Sequence, residues 1–332
     1  MPPMGVTLHT GDLDVDEILR YAREAETLGY EGFWLTEESG KEAFALLALL
    51  ARATTRIRLG TGILSFYSRT PTLLAMGAST IHRLSGGRFA LGLGQGGVGF
   101  TERGHGVQPE RPLARARETV EIVRGLLTSS RFSHDGQWFH VRQFHLREGP
   151  IQGRVPIYLS ALNPKMVGVA ARVADGFIAN WVTPGSLDEY RTIIGEEAPK
   201  AGREPSQVQI LTLLMTCVDP DDEAARHALR RGLAFYFASE HYHHAAELGG
   251  FGKEAKEIKA VWDRGDHERA SRLVTDAMME KFALYGPPEA CRRKLGWMLG
   301  ERVYPIIYPL PRRDRMADDH FAAIRLAAQA AL

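Results

Sequence analysis

Between Ile57 and Gly97 the chain runs through one pattern twice. A short apolar run, first Ile57–Ile63 and then Phe89–Leu93, breaks into a glycine-rich turn, and an amphipathic stretch, Pro71–Leu84, lies between the two. Two apolar runs joined by a helix-length connection lie parallel, since an antiparallel pair needs only a tight turn. The glycine-rich ends, Gly60-Thr-Gly62 and Gly94-Gln-Gly-Gly97, therefore open on the same edge of a parallel sheet. Residues without side chains let a ligand approach the backbone, so that edge is where chemistry is expected.

The alternation extends along the whole chain. Strand-like Gly5–Leu8, Phe33–Leu35, Ile57–Gly60, Phe89–Leu93, Val155–Leu159, Phe177–Ala179, Val208–Val218 and Val303–Ile307 are each followed by a helical pattern. The helices are expected over Val15–Leu28, Glu42–Thr54, Pro71–Leu84, Leu113–Leu127, Pro164–Val173, Leu187–Ala201, a long stretch after Val218, and Phe321–Ala331. In the first of these, Ile18, Leu19, Ala22, Ala25 and Leu28 share one face. Eight strand–helix repeats without a break in composition, in 332 residues that are 44% hydrophobic, predict an α/β fold, a (β/α)8 TIM barrel in a single domain over residues 1–332. Insertions are expected at about 98–112, 130–150 and 228–286. The second contains a β-hairpin over Phe132–Phe139 around Asp135-Gly136, and the third is expected to fold over the barrel mouth.

Several function classes are excluded. Lys plus Arg (41) nearly cancel Asp plus Glu (40), which leaves no electrostatic footprint for nucleic acid or an anionic membrane surface. No apolar run reaches the roughly 18 residues of a membrane span. Met1-Pro-Pro-Met-Gly5 lacks the basic start and apolar core of a secretory signal, so a cytoplasmic location is expected. Cys217 and Cys291 are too widely spaced for a zinc knuckle and read as core thiols. His241 and His244 lack further ligands at metal-site spacing, so no metal is expected. Gly92–Gly97 is not a dinucleotide fingerprint, because no helix starts directly after it and no acidic residue ends a second strand about 20 residues on.

The order and spacing of Phe33-Trp-Leu-Thr36, Leu59-Gly-Thr-Gly-Ile63, Arg69-Thr-Pro71, Leu84-Ser-Gly-Gly-Arg88, Leu91-Gly-Leu-Gly94, Val155-Pro-Ile-Tyr-Leu159 and Ala174-Asp-Gly176 resemble the bacterial luciferase-like flavin and deazaflavin oxidoreductases. The chain looks most like the branch that binds coenzyme F420, an 8-hydroxy-5-deazaflavin, and within it resembles the methylenetetrahydromethanopterin reductases. The resemblance implies an oxidoreductase that moves a hydride between the deazaflavin C5 and a small organic substrate. An FMN-dependent two-component monooxygenase on the same barrel is the alternative, and a non-catalytic flavin-fold module a third reading. Relatives commonly pair, so a homodimer is implied.

It also assigns roles. A non-proline cis peptide is implied at Gly62-Ile63, with Ile63 as a backstop behind the tricyclic ring. Gln95, Gly96 and Gly97 would line the ring pocket; some relatives carry a glutamate acid at the position of Gly97, which is glycine here. Ser160, Ala161, Leu162 and Asn163, ahead of Pro164 at a helix start, would hold the cofactor phosphate, and Asn180 would meet the cofactor side chain. Where many deazaflavin enzymes have Asp-His after the second strand, this chain has Glu37-Glu38. Glu37 would then touch the cofactor, and Glu38 or His9 would supply the acid or base. Arg69 would either guide the acidic cofactor tail or support a loop, and Thr183 stands where sugar-phosphate-oxidising relatives carry a lysine. Phe66, Tyr67, Trp181, Phe235 and Tyr236 suggest an apolar or ring-bearing substrate.

Overall fold

The structure is a computed structural model that describes residues 2–97 and 99–331; Val98, the first residue of the insertion expected at 98–112, lies outside the described residues, as do Met1 and Leu332. Eight parallel positions of a barrel are occupied by β1 (Gly5–His9), β2 (Gly32–Thr36), β3 (Arg58–Thr61) with its continuation β4 (Leu64–Ser65), β5 (Phe89–Gly94), β8 (Ile157–Ser160), β9 (Gly176–Asn180), β10 (Gln209–Thr216) and β11 (Val303–Pro309). β1 pairs with both β2 and β11, and β3 pairs with β5 at Leu59–Phe89 and Gly60–Ala90, which closes the cylinder. The antiparallel hairpin of β6 (Phe132–Asp135) and β7 (His140–Phe144) lies outside it. Its second strand begins where the sequence reading ended the hairpin, so the turn is wider than Asp135-Gly136 alone.

Outside the barrel run α1 (Val15–Leu28), α2 (Ala43–Ala53), α3 (Pro71–Leu84), α4 (Pro112–Thr128), α5 (Pro164–Val173) and α6 (Pro184–Glu197). The connection from β10 to β11 carries α7 (Glu223–Phe237), α8 (His243–Leu248), α9 (Gly252–Trp262), α10 (His267–Arg272), α11 (Asp276–Phe282) and α12 (Pro288–Gly300), and α13 (Met316–Ala330) ends the chain. Three strand-to-helix turns share one device. Thr70, Asn163 and Thr183 each cap a helix through a side-chain oxygen, and each is followed by proline, whose fixed φ and missing N–H suit the first helical position. The capped turns fix where three rim loops end.

Trp34, Ala90, Tyr158, Ile178, Leu211 and Ile306 form a buried cluster that fills the barrel lumen, with Tyr304 packed against it. Trp34 occupies so much of that space that a Cβ on Gly60 would lie 2.4 Å from its ring. A second cluster joins α7–α11 to the rim: Trp181 and Tyr308 from strand ends pack with Leu233, Phe237, Met278 and Phe282. The insertion returns to the barrel where Leu284 N–H donates to the Met215 carbonyl (2.7 Å) and Cys217 N–H to the Leu284 carbonyl (3.1 Å). Among the described residues, no helix is long and apolar enough to cross a membrane.

Candidate active site

Side chains alternate along a strand, so the residues two positions beyond the lumen cluster, toward the strand C-termini, form the next layer up. Trp34 leads to Thr36, Tyr158 to Ser160, Ile178 to Asn180 and Ile306 to Tyr308, while His9 pairs in register with Thr36. The lumen therefore changes from apolar to polar at its C-terminal end, the face on which barrel enzymes place their catalytic groups. Because these side chains sit on strands rather than loops, their positions are set by the barrel itself.

One side of this rim is nearly bare. The peptide bond Gly62-Ile63 is cis, as the sequence resemblance implied, and it separates β3 from β4. Here the β3–β5 ladder is interrupted, and the Thr61 hydroxyl bridges the gap: it donates to the Gly92 carbonyl and accepts from the Gly92 N–H, both at 2.8 Å. The Thr36 hydroxyl donates to the Gly62 carbonyl at 2.9 Å. A Cβ on Gly94 would lie 2.9 Å from the Ile63 side chain and 3.0 Å from the Ser160 Cβ, so Ile63 lies directly over a stretch of backbone. Gly96 has φ of 75°, in the left-handed region, and the Gln95 carbonyl accepts from the hydroxyls of Ser65 (2.9 Å) and Thr101 (3.1 Å), which hold the loop down. Gly97 borders open space.

Next to this bare wall, the Ala161 N–H joins the β-ladder by donating to the Ile178 carbonyl (3.0 Å), and the Asn163 side chain accepts from the Met166 N–H (3.0 Å). The N–H groups of Leu162, Asn163 and Lys165 have no partner among the described residues. Unengaged amides at a helix N-terminus favour an anion, through both hydrogen bonding and the positive end of the helix dipole.

The opposite side is crowded. Trp181, held at φ of 60°, packs against Phe237, Phe282, Tyr236 and Tyr242, with ring centroids 4.5, 4.8, 6.2 and 5.0 Å away. Asn180 donates to the Tyr242 hydroxyl (3.0 Å), so the lid insertion reaches the strand residue assigned to the cofactor. His9 Nε2 shares a short hydrogen bond with the Tyr308 hydroxyl. Burial raises all three tyrosines, Tyr236 to about 12, and keeps the phenols neutral. Neighbouring Tyr236 adds to the rise at Tyr308 and Tyr242.

The adjacent carboxylates after β2 separate completely. Both oxygens of Glu37 accept from Arg69, at 2.6 and 2.9 Å, and one also accepts from the Ala43 N–H at 2.8 Å. Arg69 further pairs with Glu42, so burial, which on its own lowers Arg69, is outweighed and the guanidinium is held charged. Glu37 and Arg69 thus clamp the β2 loop to the start of α3, and the loop-supporting reading of Arg69 fits this geometry. Glu38 is 63% exposed, with Oε1 3.8 Å from His9 Nδ1, beyond hydrogen-bond length. The histidines singled out in the lid are engaged otherwise: His244 pairs with Glu189 (2.8 Å), and His241 is exposed in a one-turn 3-10 helix.

Tyr308, Tyr242 and Thr36 are site residues that the sequence reading missed. The Tyr304–Ile306–Tyr308 alternation carried the signal for Tyr308, but the strand was expected to stop at Ile307. The other two had none, since Tyr242 belongs to a long insertion and Thr36 ends a strand in a position common to structural threonines.

The sequence profile of the luciferase-like monooxygenase family matches residues 2–298. The chain belongs to that family. Among its relatives is the 5,10-methylenetetrahydromethanopterin reductase of Methanolobus tindarius, 30% identical over 89% of this chain and 90% of the relative. The enzyme of the same name from Archaeoglobus fulgidus is 31% identical over 84% of each. The solved structure of the coenzyme F420 dependent tetrahydromethanopterin reductase from Methanopyrus kandleri superposes with a TM-score of 0.84 at 25% identity, covering 99% of this chain and 97% of the other. Structures of monooxygenases and a riboflavin lyase, between 14% and 20% identical, share the fold alone. The family member described here is accordingly an enzyme, with its polar strand ends at the barrel face where this fold does chemistry.

Proposed function

We propose that this luciferase-like enzyme is an F420-dependent oxidoreductase that transfers a hydride between the deazaflavin C5 and a small organic substrate. The observation that carries the reading is the pairing of a bare wall with an anion site on one rim. Gly62 and Gly97 leave backbone uncovered for the face of a planar heterocycle, with Gln95 and Gly96 in the turn between strand and loop, Ile63 over Gly94 would back it, and the amides of Leu162, Asn163 and Lys165 lie where its phosphate would be held. The F420-dependent reductase from Methanopyrus kandleri supports the deazaflavin over FMN.

When bound, the deazaflavin supplies two-electron hydride chemistry and reacts poorly with oxygen; the protein supplies orientation and proton management. Ile63 and the glycine turns set the ring plane. Asn180 and the lid tyrosines close the opposite side and exclude water. Glu37, with both oxygens already engaged, acts on the cofactor only through the loop it clamps.

We read residues 1–332 as one domain and the protein as a cytoplasmic homodimer. Leu49 on α2 and Leu73, Met76 and Leu84 on α3 are 41–51% exposed on neighbouring helices, an apolar face suited to a second copy. Replacing Leu73 by Asp is expected to yield monomers in sedimentation experiments.

The functional reading is tested by fluorescence titration with F420. Quenching with a dissociation constant in the micromolar range, near −8 kcal/mol, is expected, without oxygen uptake when the cofactor is reduced. A yellow FMN complex that consumes oxygen alongside a reductase, with F420 failing to bind, would overturn it.

A further inference from the structure

The long insertion rejoins the barrel through the end of α11, and the hydrogen bonds there do not close within the helix. Ala283 N–H still donates to the Met279 carbonyl, but Leu284 N–H turns away to Met215 on β10. The carbonyls of Glu280, Lys281 and Ala283 are left without a backbone donor among the described residues. All three accept from one atom, Nζ of Lys294, each at 2.8 Å. Lys294 belongs to α12, whose Leu295 and Met298 are buried in the core around the barrel, whereas Met278, Met279 and Phe282 of α11 are buried in the cluster that contains Trp181. One side chain therefore ties the lid cluster to the barrel. Its effect reaches the mouth, because the Phe282 ring lies 4.8 Å from that of Trp181, the residue after Asn180.

We propose that these carbonyls form a site for one compact monovalent cation between lid and barrel, and that Lys294 fills it as a tethered ammonium. The chemistry selects the charged form. An ammonium has three N–H donors and a neutral amine only two, so three acceptors are satisfied together only when the nitrogen is protonated. A cation beside the last carbonyls of a helix is further favoured by the negative end of its dipole. Burial acts in the other direction and pulls the amine down to about 7, a fall that Cys291 and Glu280 oppose and Lys281 deepens. With the cation in place the last turn of α11 is complete and Phe282 stays against Trp181; without it three carbonyls are unpaired and the turn opens. Lys294 thus positions the aromatic side of the mouth from the outer ring of helices, and this role holds whichever cofactor the opposite wall receives. A cleft of about 320 Å3 beside the amine, bordered by Thr183, Pro184, Lys281, Arg293 and Trp297, gives a free cation access to the same carbonyls.

Nitrogen-15 NMR of the full chain labelled at lysine tests the charge directly. At about pH 8, above the value that burial favours, Lys294 Nζ is expected as an ammonium whose hydrogens exchange slowly, and a neutral amine at that pH would overturn the assignment. Lys294→Ala removes the cation and keeps the carbonyls. Amide hydrogen exchange from α11 through Leu284 is expected to quicken about 10-fold or more while β1–β5 stay protected. Lys294→Met, which keeps most of the stem without the charge, is expected to do the same. Ammonium chloride is expected to restore protection to Lys294→Ala, and tetramethylammonium chloride at equal ionic strength, with no N–H to donate, is expected to leave it unprotected. Unchanged exchange in both variants would overturn the lock. Quickened exchange that ammonium relieves no better than tetramethylammonium would overturn the cation site. The wild-type spectrum decides the charge even where a variant does not fold.

Discussion

Where β3, β4 and β5 end, the rim presents Gly62 and Gly94 around Ile63, and below it Gly60 and Gly92 let Trp34 and the Thr61 backbone approach, whereas β9 and β11 across the barrel present Asn180, Trp181 and Tyr308 beside Tyr236 and Tyr242. The first wall works by omission. With no Cβ atoms in the way, strand backbones approach closely. The second works by bulk, since its aromatic rings pack against one another and keep their hydroxyls buried. A coenzyme that is common to many reactions suits the first wall, and a substrate that differs from enzyme to enzyme suits the second, where the long insertion supplies Tyr236 and Tyr242.

Opposite substitutions break the two walls. Trp181→Ala, which empties a site 2% exposed among four aromatic rings, is expected to cost about 4 kcal/mol. The loss is local: hydrogen exchange is expected to speed up in α7–α11 while β1–β5 stay protected. Gly92→Ala adds a single methyl group to the bare wall, yet its Cβ would lie 1.9 Å from the Thr61 carbonyl oxygen, a backbone atom that cannot swing aside. About 3 kcal/mol is expected, seen as a lowered midpoint in chemical denaturation of the whole barrel. Equal damage to lid and barrel by both variants would erase the distinction between the walls.

Smaller changes sharpen it. Glu37→Gln weakens the clamp on Arg69, which keeps Glu42 as a partner, so about 2 kcal/mol is expected, less than the loss of a fully buried pair. If Glu37 acts through its loop, F420 affinity follows stability; a large loss of affinity in a variant of unchanged stability would instead place its carboxylate on the cofactor. The hairpin lies outside both walls. Burial pushes the Glu118 carboxyl up, but N–H groups of Trp138, Gln137 and Phe139 outweigh it and hold it below the ordinary range. A carboxyl lowered in the fold contributes stability above its unfolded value, about 4.3, and loses that contribution as pH falls through the folded value. Protection of those three amides against exchange is therefore expected to fall below about pH 4 in the wild type and to be weak at every pH in Glu118→Gln.

The barrel was legible because its signals are local. α1, α3 and α5 begin and end where the sequence reading put them, since Asp14, Thr70 and Asn163 cap them and Pro71 and Pro164 follow two of the caps. α13 begins at Met316, five residues before the expected Phe321, because Arg315 offers no side-chain cap to mark the start. Within the site, the glycine turns and the cis bond at Gly62-Ile63 followed from the family resemblance. The Glu37–Arg69 clamp and the His9–Tyr308 contact did not, because they join residues 32 and 299 positions apart. Pairings of that reach depend on strand register around the closed barrel, which no local pattern encodes.

A co-crystal structure with F420 tests the central claim most directly. The account predicts the deazaflavin ring lying against Gly62-Ile63 and the Gly94–Gly97 turn, with its phosphate on the amides of Leu162, Asn163 and Lys165. A ring bound away from the glycine wall, or a phosphate held elsewhere, would contradict it.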